Sequence, residues 1–129
     1  MSQFAEYAEV NEYWGKDRTL EISEMIDKIT SVKFHDMMDD RMLVSHYKYG
    51  DSREGYPEKS IAMDNVELRI QMYRQTGNAE YLVDAANFCM LEFMHPSVKG
   101  AYLKATDSDG SPGIIYKDGK TRQVKHEEV

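Results

Sequence analysis

The chain is predicted to be all-α, a compact bundle of four to five helices built around a central antiparallel helical hairpin. Three observations predict it. Apolar residues recur at helical spacing through most of the chain up to Met94. The stretch 76-TGN-78 joins two such segments by a very short turn, with Gly77 suited to the left-handed position after one helix and Asn78 to the cap of the next. A length of 129 residues with 41% hydrophobic content fits one domain with a modest core.

The elements follow in order. Phe4, Tyr7, Ala8 and Asn11 share a stripe that stops at Trp14-Gly15. Thr19 caps a second helix whose Leu20, Ile22, Met25, Ile26 and Ile29 are spaced for burial. A third runs from Phe34 to about Tyr47 on Phe34, Met37, Met38, Met42 and Leu43, and 49-YGDSREGYP-57 breaks it with two glycines and a proline. Pro57 is expected to open the first arm of the hairpin (57–75), with Ile61, Val66, Ile70 and Tyr73 inward. The second arm (79–94) stops before Pro96. Residues 1–105 thus form a helical domain. In the tail, 106–129, 106-TDSDGSPG-113 is a cluster of turn formers. Asp118-Gly119 then favours a small β-hairpin, which competes with disorder from Lys117 onward because Lys117 would face Lys120.

The single cysteine, Cys89, excludes an internal disulfide and is expected as a buried thiol in a reducing compartment. No apolar run of membrane length occurs and the first ten residues are acidic, so the expected location is cytoplasmic, with no membrane partner. A net charge of −7 argues against direct nucleic-acid binding, which needs clustered Lys and Arg. Residues 1–40 carry ten acids against four bases, a surface that suits solvent or a basic protein partner. Nine methionines and nine tyrosines give adaptable contact surface and point to a homo-oligomer.

The chemistry lies in the hairpin. Glu80, Asp84 and Asn87 recur at helical spacing among Leu82, Val83, Phe88, Leu91 and Phe93. Glu80 suits a first helical turn. Asp84 among apolar neighbours needs a metal, backbone donors or a buried cation such as Arg53 or Arg69, because an unpaired buried carboxylate costs several kcal/mol. With Gly77 at the bend, Glu67 and Asp84 differ by about one turn across the hairpin, an offset at which facing carboxylates share a divalent ion. Asp64, three residues before Glu67, extends that face. Pairing of Asp64 and Glu67 with Lys59, Arg69 or Arg74 on a solvated face is the alternative. The four histidines show no metal-ligand spacing, 107-DSDGS-111 lacks the acid that completes a calcium loop, and no glycine-rich phosphate loop occurs.

The pattern 64-DNVE-67 followed by 81-YLVD-84 resembles the paired acidic motifs of the MazG-like all-α nucleotide pyrophosphohydrolases. The segment 83-VDAANFCMLEF-93 is similar to their second motif helix and to the related phage nucleotide-modification-associated domains. Tyr81 stands where the family has a carboxylate, and Asp64 is a shorter acid than the family's. The resemblance implies a Mg²⁺-dependent nucleoside triphosphate-binding or hydrolysing protein. Asp64, Glu67, Asp84 and Glu80 would hold metal, Glu67 and Asp84 would be catalytic, and Lys48 and Arg53 of 46-HYKYGDSR-53, with Asn87, would meet the nucleotide. The alternative is a noncatalytic acidic interaction protein, such as a phage or mobile-element inhibitor of a host nucleic-acid enzyme or defence system.

Overall fold

The computed structural model describes residues 19–106 and 110–122. The helix expected over Phe4–Trp14 lies outside them, as do 107–109 of the turn cluster and residues 123–129. Four helices follow in order, α1 (Thr19–Ile29), α2 (Val32–Tyr49), α3 (Ala62–Thr76) and α4 (Glu80–Met94), and then two two-residue strands, β1 (Ile114–Ile115) and β2 (Thr121–Arg122). Asp17–Ala101 forms one compact unit, and the described residues from Tyr102 onward belong to a second. No helix among the described residues is long and apolar enough to cross a membrane.

Local chemistry sets the helix ends. The Ser31 hydroxyl accepts from the Phe34 N–H and starts α2, which Gly50 ends at φ 88°. The predicted start of α3 is corrected. Pro57 lies in a turn, not in a first helical turn, and α3 begins at Ala62. The backbone N–H groups of Lys59 and Ser60 donate to the Gly55 carbonyl, which commits this stretch to a turn ahead of the helix. At the bend, Gly77 takes φ 75° and its N–H donates to the Tyr73 carbonyl, while Asn78 Oδ1 accepts from the Glu80 N–H. The hairpin read from 76-TGN-78 forms as expected.

α3 and α4 pack along their length, and α4 also packs on α2. Arg41 and Met38 of α2 reach Asp84 and Asn87 of α4, and Ser52 in the loop after α2 reaches His95 just beyond α4. Among the described residues the core is small. Ala62, Val83, Ala85 and Leu91 are its buried apolar side chains, no large side chain is fully buried, and α4 supplies three of the four. Cys89 is exposed, contrary to the buried thiol expected from its apolar neighbours. It stands one turn beyond buried Ala85, and Phe93 a further turn along is exposed too, so this side of α4 is covered near its start and open towards its end.

α3 has no side-chain cap of its own. The Glu92 carboxylate accepts from the Ser97 N–H at 2.6 Å and from the Ser97 hydroxyl. Backbone donors of Ser97 foremost, and those of Met63 and Val98, hold its pKa below the usual glutamate range. A depressed pKa gives stability that is present above the ordinary carboxylate value and lost as pH falls through the lower folded value. The midpoint of urea unfolding should therefore fall on acidification below about pH 4.5. Glu92→Gln should flatten that fall and lower the midpoint at pH 7. An unchanged acid limb in the variant would show that Glu92 does not link folding to pH.

In the second unit the hairpin alternative for the tail is realised, with Ile114 opposite Arg122 and Ile115 opposite Thr121. The Tyr116 N–H donates to the Lys120 carbonyl, Asp118 accepts from the Lys120 N–H, and Gly119 takes φ 83° between them.

Candidate functional site

The polar stripe of α4 is met by α2. Arg41 Nε donates to Asp84 Oδ1 at 3.0 Å and Nη2 to Oδ2 at 3.2 Å, while Nη1 lies 3.1 Å from Glu80 Oε1. The Asp84 side chain is 17% exposed and those of Arg41 and Glu80 nearly half exposed, so one guanidinium at the edge of the bundle bridges two carboxylates a helical turn apart. The hydrogen bond to Asp84, opposed by partial desolvation, raises the Arg41 pKa above its ordinary value. Asp84 thus has the cation its position requires, but neither of the expected ones. Arg53 forms an exposed pair with Asp51, at 2.8 Å, holding that carboxyl at a pKa of about 2. Arg69 donates to Asn65 Oδ1 and lies over the Phe88 ring, 4.6 Å from its centroid.

Asn87 is buried, 6% exposed. Its Nδ2 donates to the Met38 carbonyl at 3.0 Å, which fixes the amide orientation, since the reverse would set oxygen against oxygen. Among the described residues Oδ1 is then a buried acceptor without a partner. Buried polar atoms are nearly always satisfied, so this acceptor is an exception.

Asn87 lines a cleft of about 200 Å³ bounded by α2, α4, Arg69 of α3 and Tyr56 of the 50–61 loop. Arg41, Lys48 and Arg69 supply three cations to its walls against one carboxylate, Asp84. Tyr49, Tyr56 and Phe88 supply aromatic surface, with the Tyr56 and Phe88 rings 6.4 Å apart edge to face. A second cleft of about 300 Å³ shares Met42, Ser45, Tyr49, Tyr56 and Leu91 with the first and continues along the loop past Asp51 and Ser52. The hydrogen bond between Ser52 Oγ and His95 Nε2, 3.0 Å, ties that loop to the end of α4. Comparison with family models, curated proteins and solved structures finds no match to this chain.

Of the residues singled out in the sequence, Lys48, Asp84 and Asn87 are brought together at the first cleft. Among the described residues the Glu80 side chain meets the Arg41 guanidinium, Arg53 lines neither cleft, and Asp64 and Glu67 are exposed on α3. Magnesium needs several oxygen donors with free lone pairs converging in octahedral geometry. Both oxygens of Asp84 accept from Arg41, Glu80 shares the same cation, and no three His, Cys, Asp or Glu side chains among the described residues are gathered for an ion. The donor set as arranged does not fit a magnesium centre. Arg41 and Glu92 had no place in the sequence-based site. The recoverable signal for Arg41 was its position one turn after Met37 and Met38, beside the apolar stripe of α2, where a cation needs an acid across the interface.

Proposed function

We propose that this chain binds a phosphorylated nucleotide in the cleft between α2 and α4. The observation that carries the reading is the composition of the cleft, with Arg41, Lys48 and Arg69 against the single carboxylate of Asp84 beside Tyr49, Tyr56 and Phe88, locally cationic in a chain of net charge −7. Phosphate suits Lys48 and Arg69, and a base suits the rings of Tyr49, Tyr56 and Phe88. The resemblance to nucleotide pyrophosphohydrolases points to the same ligand class, although no hydrolytic step is assigned to these residues.

Calorimetric titration with ATP, CTP, GTP and UTP, each with and without Mg²⁺ and followed by product analysis, tests the reading. Binding without metal is expected. Lys48→Glu should weaken it at least about tenfold, equivalent to about 1.4 kcal/mol, because it reverses the charge meeting the phosphates. Absence of binding at millimolar nucleotide under both conditions would refute the proposal. It would favour the second reading, a noncatalytic interaction protein. That reading draws on the six acids of residues 19–40 (Glu21, Glu24, Asp27, Asp36, Asp39, Asp40), all exposed and accompanied by only Lys28 and Lys33.

A further inference from the structure

We infer that α1 pairs in antiparallel fashion with α1 of a second copy of this chain. Ile22, Met25, Ile26 and Ile29 fall on one side of α1 by the 3.6-residue repeat. Such a stripe normally marks the face a helix buries, yet Met25, Ile26 and Ile29 are 58%, 48% and 73% exposed and α1 packs only marginally on the other three helices. The helical unit also has few buried side chains of its own, a shortage that association relieves.

Charge selects the occupant. Glu21 in the first turn and Lys28 in the last stand two turns apart on the same edge of the apolar stripe, and neither has an ion-pair partner among the described residues. When two such helices meet antiparallel, like edges oppose. Glu21 then lies beside Lys28 of the partner subunit, and the two-fold axis repeats the pair, with the helix dipoles opposed. A wholly basic partner would match Glu21 but set like charge against Lys28. Four side chains of one short helix offer less than the roughly 800 Å² that one side of a standard interface buries, so the pair is weak and concentration-dependent.

Sedimentation equilibrium of the full chain from about 10 to 500 µM should show a shift from monomer towards dimer mass, which Ile26→Glu abolishes while the helical circular dichroism is kept. Glu21→Lys and Lys28→Glu alone should each weaken association about fivefold, because each sets like charges opposite one another twice. Mixing the two charge variants should restore dimer, since each then supplies what the other lacks. Three results would overturn the inference: a monomer throughout the range, a dimer indifferent to Ile26→Glu, or charge variants that fail to rescue one another. The first is the outcome expected if residues 1–18 of the same chain cover the stripe.

Discussion

Leu91→Ala should lower the stability of the helical unit by about 3 kcal/mol, within the range for removing a buried leucine when its surroundings relax only partly. Leu91 is 6% exposed and is the largest of the four buried apolar side chains. A unit of this size has roughly 4–13 kcal/mol to lose, so this one truncation removes a large share of it. The melting temperature should fall by roughly 10 °C or more. Leu91 also walls both clefts, so its truncation should also weaken the proposed nucleotide binding. Chemical denaturation with an unchanged denaturant slope is the check. A loss below about 1 kcal/mol would mean that the organising core of this unit is not centred on Leu91.

Arg41→Met should cost about 2–3 kcal/mol, and Asp84→Asn only about 1 kcal/mol. The inequality follows from the way the three charges share one site. Removing the guanidinium leaves Glu80 and Asp84 as like charges one turn apart, the second of them only 17% exposed, and deprives Asp84 of both its hydrogen bonds. Neutralising Asp84 leaves Arg41 with Glu80 and with solvent. Both values sit below the 3–5 kcal/mol of a fully buried broken pair because the Arg41 side chain is 43% exposed and screened. Combining Arg41→Met with Asp84→Asn should recover part of the loss, a coupling that a double-mutant cycle measures directly. Equal costs for the two single variants would show that Asp84 does not depend on Arg41.

The hairpin was legible because its determinants are local. Gly77 supplies the positive φ, Asn78 Oδ1 satisfies the first free N–H of α4, and both effects act within three residues of sequence. The Asp118-Gly119 turn was legible for the same reason. Pro57 misled because its fixed φ suits a helix start and a turn equally, and the choice fell to hydrogen bonds made by Gly55, Lys59 and Ser60.

The sequence by itself determined that the chain is helical, where its tightest bend falls, and that Asp84 and Asn87 on an apolar helix must each be met by something. Which groups meet them was decided by the tertiary structure. α2 packs on α4, which brings Arg41 to Asp84 and the Met38 carbonyl to Asn87, and it leaves Asp64 and Glu67 in solvent on a third helix. The same packing covers Ala85 and leaves Cys89 open one turn later. Helical periodicity places a side chain on a face, but which neighbour covers that face, and for how many turns, depends on interhelical packing between residues more than forty positions apart.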